Sequence, residues 1–302
     1  MISNPENTMP GKLLAIGGGM ELNTSNPILT KFIELCGGRS ARIIILPTAS
    51  DYGIDIGVLY KEIFSELCDN VEYFLIDKRR DALDEKCLVA LEQATGVFFT
   101  GGDQLRITSL LGGSKFMRIL RSKLQQGTNI AGTSAGASAM SSTMIAWGRS
   151  DEMFKGSLQI SPGLGLIHQI VIDSHFVKRG RISRLLHLVA QHPGVLGIGL
   201  AEDTGILLDS DETSSTFEVI GKRQIVVVDG KNIAHSNIAH LPENSPYTVT
   251  GVGIDVLGPG YSYNYVTHEI IYPSEVNSSK LVDLNDEVSE FPYKTRVPTH
   301  DY

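Results

Sequence analysis

The chain has 302 residues, of which 42% are hydrophobic, a mean hydropathy of +0.02 and a formal net charge of −8 at pH 7. This length and composition predict a soluble globular protein with a sizeable core, and they exclude a membrane-spanning chain and a general nucleic-acid binder. Three scattered cysteines and a polar N-terminus exclude a disulfide framework and a signal peptide, so we expect a cytoplasmic protein.

Apolar β-branched runs alternate with segments of helical periodicity over the first two thirds of the chain. This alternation predicts an α/β fold with a mostly parallel sheet and helices on both faces. In chain order the predicted elements are strand 13–16, helix 27–35, strand 41–46, helix 54–67, strand 71–76, helix 84–93, strand 96–100, helices 104–111 and 115–125, strand 128–131, helix 137–144, strand 169–173 and helix 181–190.

The pattern changes after residue 205, where short strands are joined by turns rich in Gly, Asp and Asn. Residues 220–224 are typical of a hairpin turn. We therefore expect an antiparallel extension of the same sheet, within a single domain of residues 1–272 that is followed by a polar tail, 273–302. The strands of the extension are predicted at residues 205–208, 216–220, 224–228 and 249–256.

The pattern Gly132-x-Ser134-x-Gly136 lies between a predicted strand and a predicted helix. In that context it is typical of a nucleophile elbow, where close backbone packing requires glycine and the serine hydroxyl is presented at the sheet edge. The Ala135 N–H would then lie at a helix N-terminus and stabilise an oxyanion. The alternative is a small-residue turn that only joins the two elements.

A nucleophilic serine needs a base, and the base needs an orienting carboxylate. His175 follows a predicted strand, so we expect it at the sheet edge where Ser134 emerges. The candidates for the carboxylate are Asp151, Glu152 and Asp173. Glu152 gives the chain order Ser, Glu, His that α/β serine hydrolases also use, and Asp151 is nearly as good a candidate.

A second loop, residues 100–104, carries paired glycines after a predicted strand. Backbone N–H groups in such a loop can approach a ligand, so Gly102 is the expected second oxyanion donor and Gln104 is expected to face the pocket. The alternative is a plain turn in which Asp103 caps the following helix.

Three arginines, Arg179, Arg181 and Arg184, follow the proposed base, and the last two share a helix face. Cations at a helix N-terminus oppose the macrodipole, which indicates a partner such as a substrate carboxylate held by the guanidinium fork. Gly17–Gly19 lacks the spacing of a dinucleotide-binding loop, and the chain has neither a Walker lysine nor a metal-ligand spacing. We therefore expect no cofactor and no metal.

Four motifs, at residues 99–104, 132–137, 173–184 and 197–204, resemble those of the cyanophycinases. These are serine-type exopeptidases of the same peptidase family as aspartyl dipeptidase (peptidase E). The resemblance covers residues 12–272 and does not include the tail. Its most specific part is the arginine-rich motif, since the elbow alone would fit many hydrolases.

The resemblance implies a fold like that of class I glutamine amidotransferases, with serine in place of the cysteine nucleophile. It implies a homodimer and, as substrate, cyanophycin, a poly-aspartate whose β-carboxyls carry arginine and which is cleaved to β-Asp-Arg dipeptides. The implied triad is Ser134, Glu152 and His175. The implied substrate contacts, with the pocket residue Ser174 added to them, are Gln104, Asp173, Ser174, Arg179, Arg181 and Arg184.

One position departs from the cyanophycinase pattern, because Ser174 stands where those enzymes carry glutamine. A shorter side chain would open the pocket and remove a hydrogen-bonding amide, which affects fine specificity. Two alternative functions are an aspartyl or isoaspartyl dipeptidase and a non-catalytic amidotransferase-like binding protein.

Overall fold

The computed structural model describes residues 9–211 and 214–273, so the predicted tail lies outside the described residues except for Pro273. The α-helices are α1 (Pro27–Leu35), α2 (Gly53–Leu67), α3 (Glu85–Gln93), α4 (Gln104–Leu111), α5 (Lys115–Gln125), α6 (Ala135–Met140) and α7 (Ile182–Gln191). Short 3₁₀ helices span Gly38–Ser40, Arg79–Leu83 and Ile238–His240.

Strands alternate with these helices as far as α6, as the sequence pattern predicts, and strands predominate after it. They are β1 (Lys12–Ile16), β2 (Arg42–Leu46), β3 (Asn70–Tyr73), β4 (Gly96–Phe99), β5 (Asn129–Thr133), β6 (Thr143–Gly148), β7 (Leu158–Pro162), β8 (Ile170–Asp173), β9 (Leu196–Leu200), β10 (Thr204–Asp209), β11 (Thr216–Gly221), β12 (Ile225–Asp229), β13 (His235–Ser236), β14 (Val249–Thr250), β15 (Gly253–Leu257), β16 (Ser262–Asn264) and β17 (Glu269–Ile271).

A nine-stranded sheet forms the centre of the molecule, in the order β17-β16-β11-β10-β1-β5-β4-β2-β3. The strands from β1 to β3 in this order are parallel, and β10, β11, β16 and β17 extend the sheet in antiparallel fashion. The predicted mixed α/β class with an antiparallel extension is therefore confirmed.

Helices cover both faces of this sheet, because successive residues of its strands point into different hydrophobic clusters. In β4, Val97 and Phe99 pack with residues of α3, α4 and α5, whereas Phe98 packs on the other face with residues of α1 and α2. All four residues of β4 are buried, as expected for a strand inside a parallel sheet.

A second, four-stranded sheet, in the order β15-β12-β9-β8, lies outside the predicted arrangement. On one side, its buried residues belong to the same hydrophobic cluster as those of α3, α4 and α5. On the other side, they pack against α7. The predicted hairpin at residues 220–224 is wrong, because β11 and β12 do not pair and instead belong to different sheets. Long-range pairing of β12 with β9 and β15 overrides the local turn pattern.

The region after the elbow also differs from the prediction. The helix expected over residues 137–144 ends at Met140, and the chain then forms a hairpin of β6 and β7. In the part of the chain that the structure describes, no helix is both long and apolar enough to cross a bilayer.

Candidate active site

A serine lies at the sharp turn between β5 and α6. Ser134 follows Thr133, which pairs with Ile16 at the carboxyl edge of the large sheet, and its backbone has a φ of +55°. Positive φ is costly for a residue with a Cβ, and such strain is common at active sites. A Cβ on Gly132 would lie 2.5 Å from the carbonyl carbon of Gly136, which is the close backbone approach that a nucleophile elbow requires.

The imidazole of His175 lies beside this serine, with Nε2 3.0 Å from the Ser134 hydroxyl oxygen. The predicted contact is present, but the predicted reason for it is wrong, because β8 belongs to the four-stranded sheet. The histidine reaches the edge of the large sheet because its backbone turns there with a φ of +49°. Its N–H donates to the carbonyl of Gly17, just after β1, at 2.8 Å.

The carboxylate on the other side of the imidazole is that of Glu202, whose Oε1 lies 2.8 Å from Nδ1 of His175. The prediction that Glu152, or alternatively Asp151, orients the histidine is wrong. Both side chains turn towards a nearby guanidinium instead, that of Arg149, which lies 2.8 Å from Glu152 and 3.6 Å from Asp151.

Glu202 reaches the site because β10 runs antiparallel to β1, and Gly205 pairs with Ile16. The amino end of β10 therefore lies at the same edge as the carboxyl ends of the parallel strands. A residue just before β10 is brought next to residues that follow β1 and β5. The motif at residues 197–204 contained this signal, since its acidic residues directly precede a predicted strand.

Burial and hydrogen bonding set the proton equilibria of the pair. Desolvation lowers the pKa of His175, and Arg179 lowers it further, while the hydrogen bond to Glu202 raises it. The hydrogen bond from His175 lowers the pKa of Glu202, as does Lys178, whose Nζ lies 3.1 Å from the second carboxylate oxygen. At neutral pH the imidazole is therefore neutral and the carboxylate is ionised, so the imidazole can accept the serine proton.

A cavity of about 290 Å³ opens beside Ser134. Its lining includes Gly102 and Ala135, the predicted oxyanion donors, together with Gln104. The amide nitrogen of Gln104 donates to a carbonyl of β6 at 2.9 Å, which fixes the side chain at the cavity wall. Asp103 caps α4 by accepting a hydrogen bond from the N–H of Leu105. The loop therefore both caps a helix and forms part of the cavity wall.

Asp173 was a candidate contact for a cation of the substrate, and the structure assigns it a different partner. Its side chain is 2% exposed, and Oδ1 accepts a hydrogen bond of 3.0 Å from Nη1 of Arg181. Oδ2 lies 2.9 Å from Nε of Arg184 without hydrogen-bond geometry, so this contact is an ion pair. Burial raises the pKa of Asp173, against the lowering effect of Arg184 and Arg181.

The carboxylate of Asp173 also explains why the arginines at the start of α7 are tolerated there. The sequence alone attributed them to binding of a substrate carboxylate. Arg181, Arg184 and Arg179 nevertheless all line the cavity. Arg179 is exposed, and no ion pair joins it to another described residue. Ser174 is buried at the cavity wall, where its carbonyl accepts a hydrogen bond of 2.7 Å from Arg181.

The α/β sheet and the Ser–His–Glu contacts at its edge define a class of protein, the hydrolases with a serine nucleophile. The model of peptidase family S51 matches residues 13–216, and the chain belongs to this family. It is therefore a serine peptidase, and the resemblance seen in the sequence motifs is confirmed.

Similar proteins bear the name cyanophycinase. That of Synechococcus elongatus is 35% identical over 263 residues, covering 86% of this chain and 81% of the relative. Those of Trichormus variabilis and Geminocystis herdmanii are 36% identical over 86% and 85% of this chain, and over 87% and 94% of their own lengths.

The crystal structure of a peptidase from an acI-B1 Actinobacterium has the same fold. It superposes with a TM-score of 0.63 at 23% identity, covering 85% of this chain and 97% of that one. The finer likeness to class I glutamine amidotransferases stays a prediction.

Proposed function

We propose that the chain is a serine exopeptidase that hydrolyses cyanophycin and releases β-Asp-Arg dipeptides. The observation that carries the proposal is the hydrogen-bonded chain Ser134–His175–Glu202 beside a cavity lined by three arginines. Each unit of cyanophycin presents the free carboxylate of its arginine, and guanidinium groups bind carboxylates in matched geometry. The relatives named cyanophycinase support the same substrate.

In the proposed reaction, His175 takes the proton of Ser134 while the serine oxygen attacks the scissile carbonyl carbon. Backbone N–H groups of Ala135 and Gly102 donate to the resulting oxyanion, at about 3 to 4 kcal/mol per donor. When the C–N bond breaks, the imidazolium returns its proton to the leaving amine and an ester remains on the serine. Water, deprotonated by the same imidazole, hydrolyses this ester, and Glu202 holds the required tautomer throughout.

The cavity wall supplies substrate binding in this proposal. Arg179, which is exposed, binds a substrate carboxylate directly, and Arg181 and Arg184 add positive potential while Asp173 holds them in place. Ser174 leaves more room than the glutamine of the cyanophycinases would. Fine specificity is therefore the property in which this enzyme should differ from those relatives.

The same proposal includes one peptidase domain over residues 1–272, a homodimer and a cytoplasmic location. Sedimentation velocity of the purified full chain tests the assembly. A single species at the mass of one chain would contradict the homodimer without touching the catalytic proposal.

The decisive experiment is incubation of the full chain with purified cyanophycin, followed by mass identification of the products. We expect the β-Asp-Arg dipeptide from the wild type and none from Ser134→Ala, with both proteins showing the same far-UV circular dichroism and melting temperature. A serine-directed phosphonate should label the wild type at Ser134 and leave the variant unlabelled.

Three outcomes would contradict the proposal in different ways. Cleavage of free aspartyl dipeptides without release from the polymer would indicate an aspartyl dipeptidase. An unlabelled and inactive wild type would indicate a binding protein. Substantial activity in Ser134→Ala would remove the serine from the nucleophile role.

A further inference from the structure

The loop after β1, Gly17–Gly19, takes no part in the proposed reaction, yet together with Ile16 just before it this loop contacts all three segments that carry the proposed triad. We propose that this glycine loop is the positioning element that fixes Ser134, His175 and Glu202 relative to one another. The inference rests on the proposed function, because it concerns the same three side chains.

Three consecutive carbonyl groups at the end of β1 accept hydrogen bonds from the three segments that carry the triad. The carbonyl of Ile16 accepts from the N–H of Ser134 at 2.9 Å, and that of Gly17 accepts from the N–H of His175 at 2.8 Å. The third carbonyl accepts, at 2.9 Å, from the N–H of the residue that follows Glu202. One short stretch of backbone therefore sets the relative positions of segments that are distant along the chain.

The side chains of the triad also occupy the space that side chains of the glycine loop would need. A Cβ on Gly18 would lie 2.5 Å from Nε2 of His175, and a Cβ on Gly19 would lie 2.6 Å from Cδ of Glu202. Both glycines have positive φ, +87° and +58°, which residues with a Cβ rarely adopt. Glycine is thus required here both by the backbone and by direct contact with the imidazole and the carboxylate.

The triad itself needs such a support. Ser134 and His175 both have positive φ, and a backbone of this kind persists only where the surrounding structure over-determines it. Hydrogen bonds from their N–H groups, to the carbonyl of Ile16 just before the loop and to that of Gly17 within it, supply that constraint. Because a displacement of about 1 Å in a catalytic group can cost about 100-fold in rate, a change in this loop should act on turnover.

The first test compares Gly18→Ala with Gly38→Ala. Gly38 has a similar φ of +63°, but a Cβ there would meet no atom within 4 Å, so the control carries the backbone strain without the contact. We expect kcat for dipeptide release to fall about 100-fold in Gly18→Ala with KM nearly unchanged. The rate of Ser134 labelling by the phosphonate should fall in parallel. Gly38→Ala should keep both rates within about twofold of the wild type, although the strain at its positive φ lowers its melting temperature.

A second test does not depend on the folding of Gly18→Ala. Gly19→Ala is measured in the wild type and in Glu202→Ala, where the side chain that it would displace is absent. If the glycine acts through this carboxylate, Gly19→Ala should lower the labelling rate in the wild type and cause little further loss in Glu202→Ala.

Two results would overturn the inference: equal rates in Gly18→Ala and Gly38→Ala, or an equal loss from Gly19→Ala in both backgrounds. Failure of the proposed function has a different signature. A wild type that is labelled at Ser134 but inactive on cyanophycin would contradict the substrate, and the labelling rates would still decide the role of the glycine loop. A wild type that is not labelled would end both proposals.

Discussion

The site contains two carboxylates from different elements, and their surroundings differ sharply. Glu202, in the turn between β9 and β10, is 12% exposed and meets one imidazole and one lysine. Asp173, at the end of β8, is 2% exposed and meets two guanidinium groups. The first carboxylate acts on a group that gains and loses a proton during the proposed reaction, whereas the second neutralises permanent cations.

Because of this difference, we expect mutation of one carboxylate to lower turnover and mutation of the other to lower stability. Removing a charge that serves a transient imidazolium should lower the rate of turnover and leave the fold intact. Removing a charge that serves buried guanidinium groups should weaken the fold, because the cations remain without a counter-charge. Substitutions at the two carboxylates and at the exposed Arg179 can test this division, from the largest expected effect on activity to the smallest.

Glu202→Gln should cause the largest loss. It replaces the carboxylate with an amide, whose N–H₂ group can donate to Nδ1 and favour the wrong tautomer of His175, so we expect kcat to fall by about 10³ to 10⁴-fold with little change in the free energy of unfolding. The hydrogen bond and the charge of Glu202 both raise the pKa of His175. Their removal should therefore lower that pKa and move the acid limb of kcat/KM to lower pH, as measured on a small ester substrate.

The matched control is Glu152→Gln, at the acid that the sequence alone favoured. Its carboxylate pairs with Arg149 at a partly exposed site, and such pairs contribute at most about 1 kcal/mol. Activity should stay within about twofold of the wild type. An equal loss of kcat in the two variants would mean that Glu152 moves to the histidine during turnover.

The contrast between these two glutamates also shows what the sequence could predict. The elbow at Ser134 and helices such as α4 and α5 are predictable, because paired glycines and apolar periodicity are signals that lie within a few residues. The structure adds the caps of these two helices, Asp103 and Ser114. Alternating apolar runs likewise sufficed for the parallel strands and for helices on both faces of the sheet.

Long-range pairing could not be predicted in the same way. β8, β9, β12 and β15 form their own sheet through contacts between distant segments, and nothing in their local pattern distinguishes that sheet from an extension of the first. Glu202 was missed for the same reason, because its position depends on β10 returning antiparallel beside β1. The glycine loop carries no local signal of its role, since its contacts with the triad exist only after folding.

Asp173→Asn should have a smaller effect on turnover and a larger effect on stability. Removing the charge leaves the buried Arg184 and the partly buried Arg181 without a counter-charge, and losing one partner of a buried pair costs about 3 to 5 kcal/mol. Urea unfolding monitored by circular dichroism measures this loss. The phosphonate labelling rate at a temperature where the variant is folded should stay far above that of Glu202→Gln.

The opposite result would contradict the assignment of different roles to the two carboxylates. If Asp173→Asn kept the stability of the wild type and lost labelling as completely as Glu202→Gln, the aspartate would act on the reacting groups. Arg149→Ala is a suitable stability control, because it breaks a more exposed ion pair and should change the unfolding free energy by no more than about 1 kcal/mol.

Arg179→Ala should have the smallest effect, and one of a different kind. Arg179 is exposed at the cavity and has no ion pair with another described residue, so its removal should leave stability unchanged and raise KM for cyanophycin about tenfold, as expected for one lost charge-assisted hydrogen bond.

The charge of Arg179 also lowers the pKa of His175. Without that charge the imidazolium is favoured, the pKa rises, and the acid limb of kcat/KM for a neutral ester should move to higher pH, opposite in sign to the shift in Glu202→Gln. Added salt should reduce the difference from the wild type because it screens an exposed charge, and a shift to lower pH would contradict the position of this arginine beside the imidazole.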